Sequence, residues 1–529
     1  MTASHSAPPG HADQPEGWWQ HPALLTAVIL ASALPVLIAD IAPLTDLPGH
    51  MGRYRVQLDL AESEALQRFF RFEWMLIGNL GIDLLVIPLS KLFGLEGAVK
   101  LIVTSIPPLT VAGFLLVARQ VHGRIPPTAF FALPFAYGYP FIFGFVNFAL
   151  SMALAFLAFG FWLHLARLER LRLRAALFVP ISGIVWIAHA FGWGTLGVMA
   201  FSAELVRQMD RGRSFVGAGF RAVLHSLVIA PPILLMLFWR SGQVGGQTGD
   251  WFNWKAKWHW VLWVLRDRWE WFDLGALIII VALLVRALRS PRIEFSRNLA
   301  ASALFLTLVF LLLPRIIFGS AYADMRLVPF LFAVAVLAIR LKGGATLRFA
   351  HTAAAVAIAF ALIRLAGNTA SFRLYDRDYD RELAALEKVP YGARLVSFVG
   401  RGCEEPWAML RLEHLPAIAT LRRHAFTNDQ WTMAGAQLLS VEYPAGEPFV
   451  RDPSQVVTPV KCRYERWLPI AETLRRLPRH AFDYVWLINA PAHGRELTRG
   501  LQPVWRSGTS VLYRVVDRTP PGAAALEPR

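Results

Sequence analysis

Asp46, His50 and Arg53 fall within eight positions of one another in Thr45–Tyr54, TDLPGHMGRY, directly after the apolar run Ala23–Ala39. A carboxylate, an imidazole and a guanidinium supply a proton acceptor, a hydrogen-bonding group of switchable charge and a fixed cation. That set suits acid–base work beside an anion. Pro48 and Gly49 predict a turn that aims the Asp46 side chain. The plainer reading of Asp46 and His50 is a polar cap on an apolar helix. Other polar residues also gather at the ends of apolar runs: Asp40, Asn79, Asp83, and Asp324 with Arg326 in SAYADMRLVPF, while His189 lies within one of the runs. Asp324 and Arg326 would also form a local ion pair closing a loop. His189 also fits a buried histidine bonded to backbone, and Asn147 a helix cap or interhelical hydrogen bond.

The elements that must position these residues are membrane helices. The chain has 529 residues, 55% of them hydrophobic and only 17% charged, too little polar surface for a soluble protein of this length. Its formal charge of +16 does not point to nucleic acid, because the arginines sit in short clusters between apolar runs. Runs near 22–40, 98–118, 127–144, 146–166, 175–190, 191–206, 217–239, 273–288, 299–318, 326–341 and 347–366 predict about eleven transmembrane helices. The stretch 75–94, interrupted by Asn79, Asp83 and Pro88, reads as interfacial or re-entrant instead of spanning. The loops 167–174, 207–214, 286–292 and 340–348 are rich in Lys and Arg, and those at 144–146, 190–192 and 319–325 have none. The positive-inside rule then places residues 1–21 as a cytoplasmic tail, with no cleavable signal, and everything after 366 outside.

Two external loops result, a long first one at 41–96 and a tryptophan-rich one at 240–272. Trp251, Trp254 and Trp258 suit an interfacial helix, and the same rings would stack on sugar faces. Residues 22–371 form the transmembrane domain, and 372–517 read as an outer α/β or α+β domain, opening on a charged amphipathic helix. Its strand-like runs include YVWLINA at 484–490 and TSVLYRVV at 509–516, and 518–529 is a Pro/Ala-rich, disordered tail. Cys403 and Cys462, the two cysteines of the chain, either pair in an oxidising compartment or stand as free thiols. No fixed-period repeat is visible.

With an acid just past the first helix, many spans and an outer C-terminal domain, the chain resembles the GT-C class of membrane glycosyltransferases. It is similar to bacterial GT-C-like multi-pass proteins in DLPGHMGRY, in GFVNFALSMALAF at 144–156, in HAFGWGTLGVMAFSAEL at 189–205 and in DMRLVPFLFAV at 324–334. The resemblance implies inverting transfer of a hexose or pentose from a polyprenyl-phosphate donor to a glycan, lipid or protein acceptor. The reaction would take place on the outer side of a bacterial cytoplasmic (inner) membrane, in contact with the lipid bilayer and with no nucleic acid. Asp46 would be the general base. His50, Arg53, Arg326, Asp324, Asn79, Asp83 and His189 would contact the substrate or its lipid phosphate. Some members use a divalent cation such as Mg or Mn; Asp40, Asp46 and Asp83, with Asp324, are the carboxylates for one. The adjacent pair of acids familiar in the class is absent here, where Asp46 stands alone and Asp40 lies six residues earlier. Two other readings fit the same architecture: a non-catalytic membrane scaffold, and a transporter or flippase of a lipid-linked substrate.

Overall fold

A computed structural model describes residues 16–243, 247–317, 319–342, 346–432, 437–463 and 467–519. Residues 1–15 of the expected cytoplasmic tail and 520–529 of the expected disordered tail lie outside them. The principal helices are α1 (Leu47–Asp59), α2 (Gly81–His122), α3 (Val146–Arg167), α4 (Leu171–Ala188) and α5 (Ala190–Asp210). They are followed by α6 (Trp254–Leu262), α7 (Glu270–Arg289), α8 (Leu347–Leu383), α9 (Ala417–Arg423) and α10 (Ile470–Arg476). The chain divides into two compact units: Met1–Ile38, Leu76–Ile82 and Leu101–Ser371 form the first, and Ala39–Met75, Asp83–Lys100 and Phe372–Arg529 the second.

In the first unit, α3, α4 and α7 are long and apolar enough to cross a membrane; so are the helices Gly81–His122 and Leu347–Lys388, giving five among the described residues. Each corresponds to one of the expected apolar runs. Of the remaining runs, 191–206 lies within the continuous 21-residue helix α5, and the others fold as shorter or broken elements. The run at 127–144 is a 3-10 helix over Pro127–Tyr137 followed by the five-residue helix Tyr139–Phe143. The first run splits into Pro22–Ala31 and Leu34–Ile38, and Phe215–Ser226 stops before Pro231. Apolar composition alone does not show these breaks, because proline and glycine end helices inside apolar stretches. At the arginine-rich ends of α3, α4 and α5, Arg174 pairs with Glu204 at 3.1 Å with both side chains buried, and Arg174 lies over the Trp162 ring at 3.9 Å. A charge at that depth is retained because it is paired.

The stretch 75–94 enters α2. Gly94, at φ +69°, breaks that helix, so residues 81–93 form one segment and 95–122 another. Thirteen residues rise about 20 Å, short of the hydrocarbon core.

The second unit is built on a six-stranded sheet in the order β3-β2-β1-β4-β6-β5. Its strands are β1 (Leu395–Gly400), β2 (Val456–Thr458), β3 (Leu468–Pro469), β4 (Tyr484–Ile488), β5 (Leu501–Ser507) and β6 (Ser510–Val515). The first four pair in parallel, with α10 carrying the chain from β3 to β4, and β6 pairs antiparallel with β4 and β5. Val396, Phe398, Val485, Leu487 and Val511 share one core with Val56, Leu66, Phe69 and Phe70. Most of the expected first external loop therefore folds with the sheet instead of running free. The expected start of the outer domain at 372 falls inside a continuous 37-residue helix, α8. Among the described residues the sulfurs of Cys403 and Cys462 are bonded, with Cα atoms 5.3 Å apart.

Candidate functional site

The residues singled out from sequence fall in both units. Asp40, Asp46, His50, Arg53 and Asp83 belong to the second, and Asn79, His189, Trp251, Trp254, Trp258, Asp324 and Arg326 to the first.

Asp46 is the N-cap of α1, so the expected Pro48–Gly49 turn is instead the first turn of a helix. Proline fits there because the first helical N–H groups have no partner to lose. The Asp46 carboxylate accepts no cap hydrogen bond from α1. It faces His414, whose Nε2 lies 3.9 Å from Asp46 Oδ1 and equally 3.9 Å from Asp452 Oδ1. His414 Nδ1 meets the Asp429 carbonyl oxygen at 2.9 Å, and the ring packs on Trp431 with centroids 4.3 Å apart. Asp429 is anchored in turn by the Ala417 N–H at 2.9 Å and the Thr427 hydroxyl at 2.6 Å.

Glycines bring α1 against this group. A Cβ at residue 52 would lie 3.0 Å from the Ala417 carbonyl oxygen, and one at residue 49 would lie 2.6 Å from the Trp431 ring. The Gln430 side-chain amide donates to the Gly49 carbonyl at 3.1 Å, holding α1 at that spacing.

The two histidines carry opposite shifts. Burial lowers the His50 pKa well below its ordinary value, and Arg53 and His414 lower it further, so His50 is neutral. Its ring lies 5.1 Å from Trp431, and among the described residues its buried Nδ1 makes no hydrogen bond. Burial also pulls His414 down, but Asp452, Asp46, Asp429 and Glu413 outweigh it and leave the pKa raised. Burial pushes Asp429 up to about 6, against the nearby His414 and its own hydrogen bonds. Burial likewise raises Glu413, against the partly compensating Arg401.

Arg53, expected as a phosphate clamp, forms a two-pronged pair with Asp83 in which both side chains are buried; one of the two contacts, Nη2 to Oδ2, is 3.2 Å. A guanidinium and a carboxylate closed on each other serve packing first.

Asp40 lines a separate cavity of about 520 Å³ with Asp376, Asp380, Glu387, Arg422 and Arg423. Among the described residues no group of three or more His, Cys, Asp or Glu side chains is placed to hold a metal ion. Of the carboxylates expected for a divalent cation, Asp83 closes on Arg53 and Asp46 faces an imidazole.

In the first unit, Asp324 is fully buried. It accepts from Lys257 Nζ at 3.0 Å, from the Trp260 indole N–H at 3.1 Å and from the Met325 N–H at 2.9 Å. Its ionic partner is thus a lysine of the tryptophan-rich segment. On α6, Lys257 and Trp260 occupy the buried face, and Trp254 and Trp258, four residues apart, are 59% and 63% exposed, with Trp251 exposed just before them. Arg326 lies over the rings of Phe145 at 4.5 Å and Phe191 at 5.3 Å. His189 joins α4 to α5 and accepts from the Phe191 N–H at 3.1 Å, which makes it a helix cap. Asn147 accepts from the Ile82 N–H at 2.6 Å and donates to the Asn79 carbonyl at 3.0 Å, an interhelical hydrogen-bond pair.

The fold is similar to that of the crystal structure of ArnT from Cupriavidus metallidurans bound to undecaprenyl phosphate, with 14% sequence identity and a TM-score of 0.51, over 97% of this chain and 100% of that one. The fold is GT-C-like. No family model matches the chain, and no curated protein matches it.

Sequence reasoning missed His414, Asp429, Trp431 and Asp452 around Asp46, and Lys257 and Trp260 around Asp324. One signal was available for the first set. Thr427–Gln430, a polar TNDQ run, is wholly buried, and buried polar runs mark hydrogen-bonded networks.

Proposed function

We propose that the chain is a membrane glycosyltransferase that moves a sugar from a polyprenyl-phosphate donor to a cell-envelope acceptor on the extracytoplasmic side. The observation that carries this reading is the likeness, along nearly the whole chain, to a structure bound to undecaprenyl phosphate. The Cys403–Cys462 bond supports an oxidising compartment for the sheet-bearing unit. Asp46 is the general base. The acceptor hydroxyl oxygen attacks the anomeric carbon as the bond from that carbon to the phosphate oxygen breaks. The bonding pair leaves on the phosphate, and the hydroxyl proton passes to the Asp46 carboxylate. His50, neutral and with a buried ring nitrogen that has no hydrogen-bond partner among the described residues, is a hydrogen-bonding group for the sugar or the phosphate. Arg326 is the cation candidate of the membrane unit, and the exposed Trp251, Trp254 and Trp258 suit the headgroup layer or a sugar face.

A translocation path would call for ionisable groups open to the bilayer interior. The pairs Arg174–Glu204, Lys257–Asp324 and Arg364–Asp273 favour the enzyme over that alternative.

Asp46→Asn is expected to leave the protein in the membrane and to lower transfer from an undecaprenyl-phosphate-linked sugar by roughly 10²–10⁴-fold, the usual contribution of a general base. Full activity in that variant would remove Asp46 from the mechanism. Mass spectrometry of lipid co-purified with the wild type should find a polyprenyl-phosphate sugar.

A further inference from the structure

We propose that Ser63, His424 and Asp59 form a second catalytic site, a serine nucleophile with its base and an orienting acid, that hydrolyses carboxylic esters. The site is separate from Asp46 and does not rest on the transferase reading. All three residues belong to the second unit: Asp59 ends α1, Ser63 caps the short helix Glu64–Gln67, and His424 caps the end of α9. Two contacts bring these segments together. Arg55 Nε donates to the Leu421 carbonyl at 2.9 Å, tying α1 to α9, and the Gly392 N–H donates to the Arg423 carbonyl at 2.8 Å, tying the turn that carries Tyr391 to the same helix end.

His424 Nδ1 lies 2.8 Å from the Ser63 hydroxyl oxygen, and Nε2 lies 3.3 Å from Asp59 Oδ2. A carboxylate only accepts, so Nε2 carries a proton and Nδ1 presents its lone pair. The Ser63 oxygen accepts from the Leu66 N–H at 3.4 Å, which leaves its own proton for that lone pair. The two nitrogens are used in the reverse of the usual serine-hydrolase order. Because the ring is conjugated, proton acceptance at one nitrogen and donation from the other work in either order. Acceptance needs a neutral ring: burial lowers the His424 pKa, Asp59 opposes that, and Arg55 adds to it, leaving it below the ordinary value. His424 also holds the left-handed conformation, φ +48°, at a helix end where glycine is the usual residue. An imidazole kept there against that cost is placed for its contacts.

Tyr391 supplies the oxyanion donor. Its hydroxyl is 2.6 Å from Nδ1 and 3.5 Å from Ser63 Oγ, and the residue is 65% exposed. Two hydroxyls share one lone pair here; an ester carbonyl oxygen takes the Tyr391 O–H and leaves Nδ1 to Ser63. Arg423, the neighbour of His424 in the chain, lines the cavity of about 520 Å³, so open space for a substrate begins close to the imidazole. The carboxylates and arginines of that lining suit an ester of a hydroxyl-rich alcohol. Ser63 Oγ bonds to the ester carbonyl carbon as its proton passes to Nδ1. The bond from that carbon to the alcohol oxygen breaks, the alcohol leaves with the proton, and the acyl group stays on Ser63. Water then bonds to the acyl carbon, and its proton returns through Nδ1 to Ser63 as the carboxylic acid leaves.

The experiment treats the full chain in detergent with a fluorophosphonate and maps the modified peptide by mass spectrometry. Ser63 should carry the phosphonate in the wild type, and His424→Gln should slow its attachment by roughly 10²–10⁴-fold. Labelling should fall as pH drops through the folded His424 value, where the ring becomes charged. The groups that face His424 are Asp59 and Arg55 of α1, the Ser63 hydroxyl, and Tyr391 on the turn before β1. Asp59→Asn removes the carboxylate that raises the His424 pKa, so it should move this acid limb to lower pH while slowing labelling, a shift that a merely structural role would not produce. The wild type should also cleave p-nitrophenyl acetate, and Ser63→Ala should not. Since Ser63→Ala removes a helix cap as well, the labelled position in the wild type decides independently of that variant. An unmodified Ser63 in the wild type, or labelling at the wild-type rate in His424→Gln, overturns the site. An acid limb unmoved in Asp59→Asn overturns the role given to Asp59.

Discussion

Arg53 and Asp83 show how a residue that looks chemical can be structural. The pair is buried on both sides, and the guanidinium also lies 4.8 Å above the Tyr54 ring. Removing one member of such a pair leaves the other charge in a low-dielectric site, which costs about 3–5 kcal/mol. Asp83→Asn should therefore lower the thermal unfolding midpoint of the purified protein sharply. Asp46 is the residue read as the base, so Asp46→Asn should abolish transfer, while Asp83→Asn, assayed below its lowered midpoint, should keep measurable transfer. Equal losses of transfer in the two variants would contradict this division.

At the scale of elements, α1 and α9 set the geometry of the site. Gly49 and Gly52 lie one turn apart on α1 and remove the side chains that would hold α9 and Trp431 away. Gly52→Val places branched carbon against the Ala417 backbone, which cannot yield as a flexible side chain does. Overpacking of this kind costs about 1–3 kcal/mol, and it should reduce both thermal stability and transfer, through the displaced Asp46. A variant with wild-type melting and activity would show that α1 has room to move. The glycines were visible in TDLPGHMGRY, but their role was misread, since a Pro-Gly pair signals a turn in isolation and a helix start when the following residues propagate.

At the scale of the whole molecule, orientation in the membrane is the testable claim. Arg170 is exposed between α3 and α4, beside the Glu169 that pairs with Arg207 and Arg211. The two native cysteines are bonded to each other, so a new thiol can be followed alone. Arg170→Cys should remain unlabelled by a membrane-impermeant maleimide in intact cells and react once the cells are opened. Labelling from outside would invert the topology.

The sequence by itself determined the membrane class, the apolar runs behind the long helices, and the two strand-like runs that became β4 and β6. These are local properties: hydropathy, alternation and residue type are written in neighbouring positions. Only the tertiary structure decided that Arg53 closes on Asp83, that Lys257 answers Asp324, that the first long loop shares a core with the sheet, and that Asp46 faces His414. Those partners lie far apart along the chain and carry no shared local pattern. Each pairing follows from burial, which makes an unpaired charge costly and so joins charges that the packing of distant segments brings together.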